Sequence, residues 1–234
     1  MVRQQAARHG VFEAVRAAQG LEDGMSLKRK YGIRDWVTIA LFGALWGVVE
    51  TTLGSYLNVI FPAFTNTFFK GVILGGIGVG IALTGRYFVQ KRGSLVLIGI
   101  ITALLKLLSP AGGRIGPVVA ILMQGLLMEA ALLLAREPRP WVYVLGGALA
   151  VAWNFPHRFL MMGLLYGQSM VDVYRMVVED GSAMLGLDAS FALLILALLL
   201  VVRLVAGGIA GWSGWVLGRA VARRLGQRSP AAAR

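Results

Sequence analysis

The chain of 234 residues has no cysteine, and only 2 of its residues are histidine. Its 11 acidic residues are outnumbered by 23 Lys and Arg. The missing cysteine removes disulfides, thiolate metal sites and cysteine nucleophiles together. His157 is the one histidine in an apolar stretch, so a His-rich metal centre is excluded too. No G-x-x-x-x-G-K-[ST] occurs, and ATP hydrolysis by a P-loop is therefore not expected. Charge itself is scarce, at 15% of residues against 57% hydrophobic, with a mean hydropathy of +0.72. That is not the composition of a soluble domain.

What is present instead is a series of six long apolar stretches: Trp36–Phe61, Phe68–Leu83, Gly93–Leu108, Ile115–Ala135, Trp141–Tyr166 and Phe191–Val216. They predict an all-α polytopic membrane protein of six transmembrane helices. The third, at about 16 residues, falls short of the roughly 20 needed to cross the hydrocarbon layer. Of the 23 Lys and Arg, 17 fall in 1–34, 85–93, 136–139 and the tail from Arg219. By the positive-inside rule both termini face the cytoplasm of a cell (inner) membrane. Residues 167–188, with Asp172, Glu179, Asp180 and Asp188, then face out and predict a short surface helix. Trp36, Trp141 and Trp215 sit where an aromatic belt is expected.

The organisation expected is a cytoplasmic segment 1–34, a membrane domain 35–217 and a basic tail 218–234. Met25 opens a basic run leading into the first span and is a candidate start; no cleavable signal is expected. The net charge of +12 sits in juxtamembrane clusters such as Lys28-Arg29-Lys30, Lys91-Arg92 and Arg223-Arg224. Anionic lipid headgroups are the partners that fit, and nucleic acid is not.

Small residues mark faces where helices approach closely. The first span offers Ala40, Gly43, Ala44 and Gly47, and the last offers Gly207 and Gly211; these are candidates for docking a partner subunit. Polar residues at membrane depth are functional candidates by default. Glu50, Asn58, Lys106, Gln124, Asn154, His157 and Arg158, with Trp153 as an aromatic wall, are expected to converge on an outward-facing pocket. The structural alternative is that Glu50 pairs with Lys106 or Arg158. Glu129 is expected in an interhelical contact, and Arg203 as counter-ion of Glu129 or Glu50.

Enzyme signals are poor. Gly211-Trp212-Ser213-Gly214 has the GxSG form of rhomboid proteases, but His157 lies in the other half of the membrane, where serine and base do not meet. No catalytic constellation and no cofactor site can be assembled, so the chain is not expected to be an enzyme.

Four features together carry a resemblance. They are a six-helix chain with both ends inside; Ala40-Leu41-Phe42-Gly43-Ala44, an AxxxA strip; a long first outer hairpin, LNVIFPAFTNTF; and KRGSLVLIGIITALLKLL followed by MQGLLMEAALLL. The run Lys91 to Leu134, about a fifth of the chain, is similar to the KPGA…QGxxAE run of S components for hydroxymethylpyrimidine or thiamine-type ligands. The chain thus resembles the substrate-binding S component of an energy-coupling factor (ECF) transporter. It departs in having Arg92-Gly93-Ser94 in place of Pro-Gly, and in Glu50. The resemblance implies capture of a small water-soluble vitamin or precursor, docking to a T component through Ala40 and Ala44, and energy from two cytoplasmic ATPase subunits. A membrane scaffold or assembly subunit without a ligand is the alternative from a different class.

Overall fold

The computed structural model describes residues 31–60, 67–109, 115–135 and 138–226. Met25, Asn66 and the end of the basic tail, 227–234, lie outside the described residues, as does the Asn58 side chain. Among the described residues the fold has seven α-helices: α1 Ile33–Ile60, α2 Thr67–Phe88, α3 Ser94–Leu107, α4 Ile115–Leu133, α5 Pro140–Tyr166, α6 Met170–Leu185 and α7 Ala192–Arg224. A 3-10 turn, Ala189–Phe191, precedes α7. No strand occurs among the described residues. Apolar sequence in lipid has only this solution short of a closed barrel, because every backbone N–H and C=O must be satisfied within its own segment.

Among the described residues four helices are long and apolar enough to cross a membrane: Ile33–Leu57, Lys70–Phe88, Ile115–Leu133 and Ala189–Arg224. The first apolar stretch of the sequence is thus one helix, and the last runs on through the basic residues Arg219, Arg223 and Arg224. At 14 residues, α3 is about 21 Å long, short of a bilayer's roughly 30 Å. The 27 residues of α5 are length enough, but Asn154, Pro156, His157 and Arg158 dilute the hydropathy of its second half. The expected surface helix is α6. Ser169 caps it by accepting the Asp172 N–H at 3.1 Å, and Val173, Val177 and Val178 bury one stripe against Ile195 and Leu199 of α7.

Glycine decides how the long helices meet. A Cβ on Gly147 of α5 would strike the Gly207 carbonyl oxygen and lie 2.9 Å from the Gly211 Cα of α7. On Gly211 it would strike the Tyr143 carbonyl oxygen. The α5 and α7 backbones are therefore in direct contact. Gly218 of α7 seats the Tyr87 ring of α2, and Gly125 of α4 lies against the Leu95 carbonyl of α3. Trp46, fully buried, lays its indole over Gly78.

This packing corrects most of the docking strip expected from sequence. Gly207 and Gly211 are buried against α5 and cannot meet a partner helix. Gly43 and Gly47 are buried on α3, where their Cβ atoms would stand 2.8 Å from Ile101 and Leu105. Thr102 also donates its hydroxyl to the Gly43 carbonyl at 2.9 Å. Only Ala40, exposed, and Ala44, half-buried, remain reachable, beside the exposed Val37, Leu41 and Val48.

Gly211→Val should force α5 and α7 apart. Overpacking a well-filled contact costs about 1–3 kcal/mol, and here the obstruction is backbone that cannot rotate away. Thermal unfolding in detergent should show a large loss of stability or of monodisperse protein. Gly76→Ala, at a site with nothing within 4 Å of the new methyl, should be neutral or slightly stabilising.

Candidate functional site

The expected site residues with described side chains lie from mid-helix, at Gln124 and Asn154, toward the ends of the helices opposite Arg86, Trp215 and Arg219, in three groups that His157 does not join. In the first, Lys106 near the end of α3 reaches Glu50 of α1. Its Nζ lies 3.8 Å from Glu50 Oε2 and donates to the Glu50 backbone carbonyl at 3.1 Å. Lys106 Nζ and the Lys70 side chain of α2 both pass within 4 Å of where a Cβ on Gly54 would stand. Both partners of the Glu50–Lys106 pair are largely buried, at 13% and 19% side-chain exposure. Glu50 is held structurally, by the α3 cation, as the alternative reading of the sequence has it.

The second group is a chain of amides. Gln124 Nε2 of α4 donates to Asn154 Oδ1 of α5 at 3.1 Å, and Asn154 Nδ2 donates to the Gly71 carbonyl of α2 at 3.3 Å. Gly75 allows this approach, since a Cβ there would lie 2.9 Å from Asn154 Nδ2. Three helices are thereby tied by hydrogen bonds that lipid could not replace.

The third group is a cleft between α5, α6 and α7. Arg158 donates to Asp180 Oδ2 of α6 at 3.1 Å and approaches Met176 Sδ at 3.5 Å. Arg203 of α7 lines the same cleft, with Asn154, Phe155, Phe159 and Met184. The cleft encloses about 310 Å³ of empty space including its mouth, but is narrow enough to seat little beyond a water. Asp180 was read from sequence only as part of an acidic outer loop; its place on the buried edge of an amphipathic helix, one turn after Val177, was the available signal.

His157 does not join the cleft. Its Nε2 lies 2.9 Å from the Gly116 carbonyl at the start of α4, and its ring is 6.1 Å from that of Trp153. The α5 residues expected on one face therefore divide: Arg158 reaches α6, Asn154 lines the cleft but bonds to α4 and α2, and His157 turns to the start of α4.

A second buried ionic site lies at the other end. Glu129 of α4 accepts the Leu95 N–H at 3.0 Å and faces Arg86 of α2 at 3.7 Å. Arg86 also donates to the Val89 carbonyl at 2.7 Å. Glu129 does make the interhelical contact expected, but its cation is Arg86, which the sequence suggested only as a loop charge. The Glu50 cation is Lys106, and Arg203 lines the cleft with Arg158. Asp35 and Lys91, 2.6 Å apart, clamp α1 to the α2–α3 turn. Among the described residues no three His, Asp or Glu gather as metal ligands.

Comparison of the chain with models of protein families, with curated proteins and with solved structures returns no match.

If Glu50 and Lys106 are a closed buried pair, Glu50→Gln and Lys106→Met should each destabilise by about 3–5 kcal/mol, the usual cost of leaving one buried charge unmatched. The double variant should cost less than either single change. Equilibrium unfolding of the four proteins in one detergent gives the coupling; additive losses would mean that the pair is not energetically closed.

Proposed function

We propose that the protein is a membrane-embedded substrate-capture subunit of an ECF-type importer, with six transmembrane helices and both termini in the cytoplasm, taking up a small water-soluble vitamin or precursor at the outer face. The observation that carries this reading is the clustering of Glu50, Lys106, Gln124, Asn154, Arg158 and Arg203, from five helices, between mid-helix and the bundle end remote from the basic helix termini. Burying polar groups in lipid is costly without a use for them. The positive-inside distribution makes that end the outer one. The sequence of Lys91 to Leu134 adds the resemblance to S components.

In this reading the α1 face of Ala40 and Ala44, with exposed Val37 and Leu41 beside it, meets a T component driven by two cytoplasmic ATPases. The basic helix ends contact anionic headgroups. A scaffold or assembly subunit remains the second reading. It is favoured by the extent to which Glu50, Lys106, Gln124 and Asn154 satisfy one another, and it calls for no ligand.

Two experiments separate and test these readings. Purified full-length protein, screened by thermal shift against water-soluble vitamins and their precursors, should be stabilised by one compound class; a flat response across the panel favours the scaffold. Ala40→Trp with Ala44→Trp should then abolish energised uptake while the purified variant keeps that response. Loss of the fold instead would place the strip inside the bundle.

The topology is tested on a background free of cysteine. A cysteine at Ala183, exposed on α6, should label with an impermeant maleimide in intact cells, and one at Arg223 should label only after permeabilisation. The reverse pattern sinks the model. Gly181 is unsuitable as a reporter because its Cα lies against Ile195 and Leu199.

A further inference from the structure

The Arg158–Asp180 pair differs from the other ion pairs at membrane depth. Glu50–Lys106 is closed by a second bond to backbone, and Glu129 takes a backbone N–H as well as Arg86. Asp180, by contrast, is 32% exposed while Arg158 is 13% exposed, so the guanidinium is fixed within the bundle and its carboxylate comes from the rim. Arg158 Nε is buried with no hydrogen-bond partner. A guanidinium has five N–H donors in a planar fork that suits both oxygens of a carboxylate, and one Asp180 oxygen at 3.1 Å uses little of it.

Asp180 rides on a helix that can leave. α6, 16 residues long, packs on α7 through its valine stripe, Gly181 and Met184, and is tied to α5 by this ion pair. It is bounded by Gly167 and Gly186, with φ of 64° and 66°, left-handed conformations that glycine adopts without strain and through which the chain can re-aim. As it stands the cleft is too narrow for an organic molecule, since small-molecule sites enclose about 300–1,000 Å³, much of which here is open mouth. Widening it means moving α6, which breaks the Arg158–Asp180 contact.

We propose that the cleft between α5, α6 and α7 is a site for a small carboxylate with an apolar or aromatic body, in which Asp180 holds the ligand's place on Arg158. The incoming carboxylate takes one guanidinium edge with both its oxygens, α6 swings outward on its two glycines, and Phe155, Phe159 and Met184 receive the apolar body. Arg203 adds positive charge to the same wall. The proposal rests on the capture reading above and gives it a substrate class.

Benzoate and its uncharged counterpart benzamide serve as probes, titrated by calorimetry against full-length protein in detergent. Removing the competing carboxylate with Asp180→Asn should tighten benzoate by about tenfold, equivalent to roughly 1.4 kcal/mol, and leave benzamide unchanged. Arg158→Ala should abolish benzoate binding, and Arg158→Lys should keep it only weakly. An unchanged benzoate affinity in Asp180→Asn, an equal gain for benzamide, or no benzoate binding by any of these proteins overturns the proposal. Should Asp180→Asn not fold, a dye on a cysteine at Ala183 of the otherwise native chain reports α6. Benzoate should shift its emission and benzamide should not, and no shift with benzoate overturns the latch. Energised uptake is read separately: a benzoate response without any ATP-driven uptake counts against the importer and leaves the site standing.

Discussion

The arrangement of the bundle depends on the contact of α5 and α7 at Gly147, Gly207 and Gly211, where no side chain intervenes. Between helices in lipid, burial of apolar surface gives no net drive, because acyl chains are as apolar as leucine. What remains is close dispersion contact, and glycine permits it over backbone. The antiparallel run of the two helices carries the contact into the cleft. Asn154 and Arg158 follow Gly147 by 7 and 11 residues, and Arg203 precedes Gly207 by 4, so all three stay on the contacting faces. The closed glycine crossing thus sets the direction in which the polar side chains meet and leaves α6 to cover the end where they do.

Acidic residues are the limiting resource of so basic a chain, and their placement follows from it. Four of the seven described carboxylates, on Asp35, Glu50, Glu129 and Asp180, pair with cations on other helices or turns. Asp172 instead accepts the Ser169 hydroxyl at the start of α6, and Asp188 caps the 3-10 turn by accepting the Ser190 N–H. Each buried pair joins different helices: α1 to α3, α2 to α4, α5 to α6. Together with the Gln124–Asn154–Gly71 chain they specify neighbours that small-residue packing leaves undetermined.

The elements were legible in the sequence because the signals for them are local. Apolar runs bounded by Gly, Pro and charge give the helices, the short α3 included, except that α2 and α7 run on past the expected Leu83 and Val216 to Phe88 and Arg224, and the mixed apolar and acidic stretch 167–188 gives α6. The use of each glycine was not legible. Gly43, Gly47, Gly207 and Gly211 read as smooth faces whether they meet a partner or the same chain, and only the tertiary arrangement assigns them inward. The partners of the charges were hidden for a related reason. Arg86 falls at a helix end where a basic residue signals membrane orientation, and nothing local shows that it turns back to Glu129. His157 lies one turn after Asn154 and directly before Arg158, yet about 100° around the helix from Arg158 is enough to send it to Gly116 of α4 rather than to the cleft.

A buried ion pair can act as structure or as a switch, and the difference lies in what replaces each partner when it leaves. Separating Glu50 from Lys106 would strip a carboxylate and an ammonium within packed helices, with only lipid and side chains to receive them, and the desolvation cost opposes it. Separating Glu129 from Arg86 would also cost the Leu95 N–H its acceptor. Separating Asp180 from Arg158 returns a partly exposed carboxylate to water and leaves a single buried cation behind, a cost that an arriving anion can offset. Of the three pairs at membrane depth, only this one can exchange its anion without unpacking the long helices.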